Sequence, residues 1–351
     1  MLINFTPFTV TKKVALTISR GTSTQNTNLW IKISSDNIEG WGESVHFSIG
    51  EETQTTEKII TDLNRIIPLL TKFEPWQKQE IEEVIKQEHI LSSVQAGIDI
   101  ALNDWLGKKL GYPLGKIWGL NSDRIPPTSL TIGISSPSRA KQRVKEWAAI
   151  TDINFLKIKL GNPEGILADQ AMLKAVLETA PNTIFSVDAN GGWNLKDALI
   201  MCEYLAQLGV KYIEQPLPRG TEDQLTELYA RSPIPIIADE SCFNSQDIIK
   251  LADKVHGINI KLMKCGGLTE AKRMIDIAKT CNLKVMLGCY SDSILSNSAA
   301  SQLAPLTDYI DLDSHLNLKD DPFTGSQLKN GRLIPNNLPG IGVEKYVKTI
   351  R

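Results

Sequence analysis

The chain has few histidines and few cysteines, and neither set has the spacing of a catalytic or metal centre. Only four histidines occur in 351 residues, which argues against a histidine-centred metal site and against a serine–histidine–aspartate triad. The five cysteines, at positions 202, 242, 265, 281 and 289, are odd in number and lack the paired spacing of zinc ligands. We therefore expect reduced, mostly buried thiols. Acid–base chemistry must come from other residue types.

The chain also lacks a strong net charge and a long apolar run. The formal charge of -2 gives no basic field for nucleic acid or for an anionic membrane surface. The first residues, MLINFTP, contain no basic segment followed by an apolar run, and no later apolar stretch reaches the length of a membrane span. The sequence therefore predicts a cytoplasmic globular protein that binds neither nucleic acid nor membrane.

The first 125 residues read as strands followed by helices. Residues 8–18 and 28–34 are rich in β-branched and apolar side chains, and the polar residues 19–24 between them predict a hairpin with an unusually long connection. An apolar stripe from Val94 to Leu106 predicts a helix that ends at Gly111. We interpret residues 1–125 as a small α+β domain.

From residue 126 the pattern changes to short apolar runs, each followed by an amphipathic helix. Eight runs spaced roughly 20–30 residues apart predict a β/α barrel over residues 126–314, because parallel strands need helical crossovers of that length. The runs are Thr128–Ile134, Phe155–Leu160, Thr183–Val187, Tyr212–Glu214, Ile234–Ala238, Gly257–Ile260, Lys284–Gly288 and Tyr309–Leu312. The alternative is an open doubly wound sheet, but no glycine-rich phosphate loop follows the first run. Residues 315–351 are expected to return to the first domain.

The second predicted strand ends with two lysines, Lys157 and Lys159. Because side chains alternate along a strand, both lysines point to the same face. If that face is the barrel interior, burial and mutual repulsion lower the pKa of one lysine, which could then act as a base near neutral pH. The alternative is an edge strand with both lysines in water.

The next three predicted strands end in carboxylates, Asp188, Glu214 and Asp239. At the carboxyl ends of successive barrel strands these side chains should converge. Clustered carboxylates repel one another unless a cation neutralises them, and an all-oxygen set favours Mg²⁺ or Mn²⁺ over zinc. Any one of them could be a helix N-cap, but three in consecutive repeats favour a metal site.

Charged residues also end the sixth and eighth predicted strands. Lys261 follows the sixth apolar run and is expected to face Lys159 across the barrel mouth, with the metal between them. We interpret Lys264, in the following loop, as a surface or structural residue. Asp311 and Asp313 share one face of the eighth strand and could hold an ammonium group, although a solvated strand end would explain them equally well.

Together these motifs resemble the muconate-lactonizing subgroup of the enolase superfamily. Within that subgroup the chain is similar to the dipeptide epimerases, whose distinguishing mark is an Asp-x-Asp on the eighth strand. The resemblance spans nearly the whole chain and includes residues 40–43, 96–104 and 339–342. It implies an α/β fold, a modified (β/α)7β TIM-type barrel with an N-terminal α+β capping domain that the end of the chain rejoins.

The resemblance also implies a reaction, the Mg²⁺-dependent epimerisation of dipeptides, of the L-Ala-D/L-Glu type. It assigns the metal ligands to Asp188, Glu214 and Asp239. It makes Lys159 and Lys261 the two acid/base catalysts that move a proton at the α-carbon of the C-terminal residue. Proteins of this kind are commonly homo-oligomers, so a homo-oligomer is expected.

The residues that would bind the substrate follow from the same resemblance. Lys157 would tune Lys159 and could contact the substrate carboxylate, and Asp311 and Asp313 would hold the α-ammonium group. Arg20 resembles an arginine that some Ala-Glu epimerases place against the acidic side chain, although a solvent-exposed loop arginine is an equal alternative. Residues 288–293, including Asp292, are expected to line the pocket for the first amino acid. They depart from the methionine and glutamate that relatives often have there, so the preference at this pocket is not transferred.

Other reactions on the same scaffold remain alternatives. o-Succinylbenzoate synthase, N-acylamino acid racemase and muconate cycloisomerase need no ammonium clamp, so Asp311 and Asp313 argue against them. A non-catalytic barrel that serves as a binding module would be expected to lack at least one of the lysines or acids, and all are present.

Overall fold

A computed structural model describes residues 1–346, which begin with a three-stranded antiparallel sheet. Its strands are β1 (Leu2–Ile18), β2 (Gly21–Ser35) and β3 (Ile38–Ser44). The prediction of a long hairpin connection is wrong, because only Ser19 and Arg20 separate β1 from β2. The polar residues that read as a loop extend the ladder instead, and the hydroxyls of Thr17 and Thr22 lie 2.9 Å apart across it.

Helices cover one face of this sheet. The cap, as we call this region, adds β4 (Phe47–Ile49), β5 (Glu52–Gln54), α1 (Thr56–Leu70), α2 (Lys78–Gln87) and α3 (Ser92–Leu110). Helix α3 ends at Gly111 in the left-handed region, as the sequence predicted. The helix crosses β3 so closely that a Cβ on Gly42 would lie 1.9 Å from the carbonyl oxygen of Gly97. A Cβ on Gly97 would in turn lie 2.4 Å from Ser44 Oγ, so the close approach of helix and strand favours glycine at both positions.

Eight parallel strands follow, and each neighbours the next in chain order. They are β6 (Leu130–Ile132), β7 (Phe155–Lys159), β8 (Ile184–Asp188), β9 (Ile213–Glu214), β10 (Ile236–Ala238), β11 (Gly257–Lys261), β12 (Lys284–Gly288) and β13 (Tyr309–Asp311). The Ser129 N–H donates to the carbonyl of Ile310 at 3.0 Å and joins the last strand to the first. Each of the eight predicted runs overlaps one strand, so the predicted β/α barrel is confirmed.

Helices occupy all seven connections between the barrel strands. After α4 (Leu114–Ile117), they are α5 (Pro137–Ala148), α6 (Ile166–Thr179), α7 (Leu195–Gln207), α8 (Glu222–Arg231), α9 (Ser245–Leu251), α10 (Leu262–Cys265), α11 (Leu268–Thr280) and α12 (Ile294–Ser301). Short 3₁₀ helices lie at Ser122–Arg124, Ala304–Leu306 and Ser314–Asn317. The last of these follows β13, where an eighth barrel helix would begin, and the arrangement is the (β/α)7β form.

The chain after residue 314 runs back along the cap. Its strands are β14 (Phe323–Thr324), β15 (Gln327–Lys329), β16 (Arg332–Ile334) and β17 (Glu344–Lys345). The Lys319 N–H donates to the carbonyl of Thr11 at 2.9 Å, and the Ile341 N–H donates to Asp104 Oδ1 at 2.9 Å. These contacts agree with the predicted return, of which residues 347–351 lie outside the described part. The boundaries between the two domains stay a prediction.

Two expectations from composition can be compared with residues 1–346. All five cysteines are free, and Cys202, Cys242 and Cys265 are buried, as predicted. In the same range, no helix has the length and apolar character needed to cross a membrane.

Candidate active site

The three strand-end carboxylates converge at the mouth of the barrel. Asp188 ends β8, Glu214 ends β9, and Asp239 follows β10, so the strand order alone places them side by side. Each offers one oxygen, these oxygens all lie within 4.8 Å of one another, and the three side chains are fully buried. An all-oxygen cluster of this size matches the ligands that Mg²⁺ prefers.

Two lysines flank this cluster in the order of the strands. Lys159 ends β7, beside the first acid strand, and Lys261 ends β11, beside the last. Lys159 Nζ lies 2.6 Å from Asp188 Oδ2, and Lys261 Nζ lies 2.7 Å from Asp239 Oδ2. The two ammonium groups therefore approach the acids from opposite ends of the row.

Lys157 lies beneath this arrangement, completely buried. Its Nζ lies 2.6 Å from Glu214 Oε2, 2.7 Å from Asp311 Oδ2 and 3.2 Å from Asp188 Oδ2. Burial alone would lower the pKa of Lys157, but these carboxylates outweigh it and raise the pKa well above its usual value. Lys157 is therefore not the member of the lysine pair with the lowered pKa that the sequence predicted. Its side chain lines neither lobe of the cavity described below.

Lys264 is a further lysine of the cluster rather than a surface residue. The short helix α10 turns the chain inward directly after β11, and Lys264 is buried at its end. Its Nζ donates to Asp239 Oδ1 at 2.6 Å and to the carbonyl of Asn259 at 3.1 Å. The surface interpretation is therefore wrong, and the structural one agrees with these bonds.

The charges of the three acids are unequally compensated. Burial would raise the pKa of Asp188, but Lys159 and Lys157 hold it well below its usual value. Lys261 and Lys264 lower the pKa of Asp239 against burial in the same way. Burial and the charge of Asp188 raise the pKa of Glu214 to about 8. The negative charge of Glu214 is thus only partly compensated by the lysines. A divalent cation bound to the three acids would supply the missing positive charge.

Asp311 and Asp313 lie on the opposite wall of the barrel mouth. Asp311 accepts hydrogen bonds from Lys157 Nζ and Ser129 Oγ, each at 2.7 Å, and Asp313 accepts one from the Thr131 N–H at 2.7 Å. Burial and the charge of Asp311 raise the pKa of Asp313 to about 6. Both acids line the same cavity, so a bound ammonium group could reach both.

The cavity between cap and barrel has two lobes. The aspartate lobe contains Asp311, Asp313, Val14 and Thr131, and the cap lobe contains Ile18, Arg20, His46, Phe47 and Lys261. The wall that they share contains Lys12, Leu16, Lys159, Cys289, Tyr290 and Ser291. A molecule that spans both lobes would therefore lie across Lys159.

Of the other two residues predicted to bind substrate, Arg20 lines the cavity and Asp292 does not. Arg20 lines the cap lobe, but its Nη1 already donates to Glu240 Oε1 at 2.7 Å and to the Asn190 carbonyl at 2.9 Å. Asp292 lines neither lobe, and its Oδ1 accepts a hydrogen bond from the Tyr290 N–H at 3.0 Å. The roles of both residues stay predictions.

Two family models match the chain. Residues 139–346 match the enolase C-terminal domain-like family, and residues 4–119 match the N-terminal domain of the mandelate racemase / muconate lactonizing enzyme family. The chain belongs to the enolase superfamily. The family match covers the cap and the barrel, including all five strands that carry the acids and the flanking lysines.

Two named relatives and one solved structure are similar to this chain over nearly the full length. A hydrophobic dipeptide epimerase from Roseobacter litoralis is 42% identical over 335 residues, covering 94% of this chain and 95% of that protein. An L-Ala-D/L-Glu epimerase from Bacteroides thetaiotaomicron is 35% identical over 352 residues, covering 98% and 88%. The crystal structure of a dipeptide epimerase from Enterococcus faecalis V583, complexed with Mg and L-Leu-L-Tyr, has a TM-score of 0.89 and 29% identity, covering 97% and 98%.

Sequence reasoning missed two lysines of this enolase-superfamily site. From sequence, Lys264 is interpreted only as a surface or structural residue, because a residue three positions beyond a strand normally lies in an exposed loop. Lys12 stands beside Lys13 in a polar stretch of β1, where alternation places the two side chains on opposite faces. The pattern shows that one of them faces inward but does not show which.

Proposed function

We propose that the chain is a Mg²⁺-dependent dipeptide epimerase that inverts the α-carbon of the C-terminal residue. The observation that carries the proposal is the row Lys159, Asp188, Glu214, Asp239 and Lys261 on five consecutive strands. A metal-binding triad with an amine at each end provides one proton-transfer group for each face of a substrate. The names of the relatives from Roseobacter and Bacteroides support the same reaction.

The two lysines exchange roles between the two epimers. One lysine, as a neutral amine, accepts the α-proton, and the other, as an ammonium group, delivers a proton to the opposite face of the same carbon. Asp188, Glu214 and Asp239 would hold Mg²⁺. When bound, Mg²⁺ would supply positive charge near the substrate carboxylate, where negative charge develops in the transition state. In this proposal the row of strands would keep Lys159 and Lys261 on opposite sides of the reacting carbon.

The aspartate lobe would hold the other end of the dipeptide. Asp311 and Asp313 face this lobe and would accept hydrogen bonds from the α-ammonium group of the first residue. This clamp favours a free dipeptide over the substrates of a synthase or lactonizing enzyme, which carry no ammonium group at that position.

Isotope exchange in D₂O tests the proposal. The wild-type protein with Mg²⁺ is expected to incorporate one deuterium into dipeptides of a mixed L,L library, and a chelator should abolish the exchange. Lys159→Ala and Lys261→Ala should each lose exchange from one epimer only. Lys284→Ala is the matched control, because Lys284 is exposed at the opposite end of barrel strand β12. Unchanged exchange in both active-site variants, or exchange that survives complete metal removal, would contradict the proposal.

The assembly and location of the protein are part of the same proposal. We propose a homo-oligomer in the cytoplasm, which follows the expectation from the sequence. Size-exclusion chromatography with light scattering measures the oligomeric state, and a monomeric mass would contradict it.

A further inference from the structure

Lys12 is a buried cation in the wall that the two lobes share. It belongs to β1, and its side chain is buried while that of its neighbour Lys13 is exposed. Its Nζ donates to Ser291 Oγ at 2.7 Å and to Ser23 Oγ at 3.0 Å. Among residues 1–346 no carboxylate lies within ion-pair distance of this group. Two neutral hydroxyls are its only side-chain partners in that range.

The cap lobe around Lys12 carries an excess of positive charge. Four cationic side chains line this lobe, and none of its lining residues is an aspartate or a glutamate. Three of the four have a carboxylate partner outside the lobe: Arg20 pairs with Glu240, Lys159 with Asp188, and Lys261 with Asp239. Lys12 is the fourth. Lys12 therefore leaves one positive charge in the cap lobe that a ligand could pair with.

Burial without a carboxylate partner disfavours the charged form of Lys12. The loss of water lowers its pKa to about 8, because the two hydroxyls do not replace the hydration of an ammonium group. A carboxylate that entered the cap lobe would provide a charge-assisted hydrogen bond to Nζ and offset this loss.

We propose that Lys12 pairs with an acidic side chain on the C-terminal residue of the dipeptide, so that the enzyme selects glutamate or aspartate at the inverted position. This inference rests on the proposed function. The α-carbon lies between Lys159 and Lys261, and the first residue occupies the aspartate lobe, so the side chain of the second residue enters the cap lobe. Arg20 is already engaged by Glu240, and Lys12 is the group left to meet an anion.

The inference is tested with two dipeptides that differ in charge and little in shape, L-Ala-L-Glu and L-Ala-L-Gln. For the wild-type protein, kcat/KM for the glutamate peptide should exceed that for the glutamine peptide by about tenfold or more, the effect of one hydrogen bond to a charged group. Lys12→Met should reduce this ratio to near one, and Lys12→Arg should restore part of it. Lys13→Met, on the exposed face of the same strand, should keep the wild-type ratio.

The ratio is measured within one preparation, so a variant with lower total activity still reports on the inference. A wild-type protein that prefers the glutamine peptide or an apolar dipeptide, or a ratio that Lys12→Met leaves unchanged, would overturn it while epimerisation itself continues. If the wild-type protein with Mg²⁺ epimerises none of these peptides, nor L-Leu-L-Tyr, the proposed function fails instead. Circular dichroism checks that each variant is folded.

Discussion

Asp239 is held by two lysines that approach different oxygens. Lys261 reaches Oδ2 from the cavity side, whereas Lys264 reaches Oδ1 from beneath and is completely enclosed. Breaking a buried ion pair leaves the remaining charge without a partner. Lys264 therefore fixes the position of Asp239 whether or not a metal ion is bound.

Lys264→Met is expected to destabilise the metal-free protein by about 3–5 kcal/mol. Saturating Mg²⁺ should reduce this deficit, because the cation replaces the lost positive charge beside Asp239. The rise in Tm on adding Mg²⁺ should thus be larger for Lys264→Met than for the wild-type protein, as measured by thermal denaturation with Mg²⁺ and with chelator. Lys272→Met, at a partly exposed position of α11 away from the acids, is the control. An equal rise in both proteins would show that Lys264 does not compensate Asp239.

Single residues were predictable where the barrel itself places them. Asp188, Glu214 and Asp239 follow strands of a parallel barrel, and that topology alone brings their side chains together. The pKa of Lys157 could not be foreseen in the same way, because from sequence only burial and the neighbouring Lys159 could be considered. The three carboxylates that surround Lys157 come from other strands, 31 or more residues away in the chain.

Among the secondary-structure elements, β3 and α12 are joined by one buried side chain. Glu43 of β3 accepts hydrogen bonds from the N–H groups of Ser293 and Ser296 and from Ser293 Oγ, at the beginning of α12. Asn28 Nδ2 donates to the same carboxylate at 2.8 Å. A carboxylate at a helix N-terminus also interacts favourably with the helix dipole. Glu43 thereby fixes the cap to the segment that follows the seventh barrel strand.

Glu43→Gln should lower the free energy of unfolding by about 1–3 kcal/mol, because the new amide N–H₂ would face donors that the carboxylate now accepts. Chemical denaturation measures the change. Glu39→Gln is the matched control, since Glu39 lies on the same strand with its side chain 48% exposed. If both variants lose the same stability, Glu43 does not have this role at the junction.

Elements were predictable where an apolar run ends in a turn signal. All eight barrel strands and helix α3 have that pattern, and each formed where it was expected. The first hairpin has no such pattern, because residues 21–27 are polar and resemble a loop. Their pairing depends on contacts across the ladder, such as Thr17 with Thr22, which a local reading of the sequence does not contain.

Across the whole molecule, the largest hydrophobic core does not stop at the boundary between cap and barrel. One cluster of buried side chains includes Trp41, Val45 and Phe47 from the cap together with Leu287 and Ile310 from the barrel. Hydrogen bonds from Ser92 Oγ to the carbonyl of Met263 and from Lys78 Nζ to Thr269 Oγ1 connect the same two regions. Composition changes near residue 126 predicted two domains, but packing of this kind couples them energetically.

We therefore expect the cap and the barrel to unfold in one cooperative transition, although a chain of 351 residues is longer than most two-state proteins. Separate unfolding of the cap would expose the apolar surface of Trp41, Val45 and Phe47 to water, and the barrel would expose the matching surface. Differential scanning calorimetry should show a single peak with equal calorimetric and van't Hoff enthalpies. Two resolved peaks, or a stable barrel after removal of residues 1–125, would show that the shared core does not couple them. Lys12 and Arg20 of the cap line the same cavity as Lys159 and Lys261 of the barrel. This coupling therefore also keeps the substrate-binding and proton-transfer groups in position relative to one another.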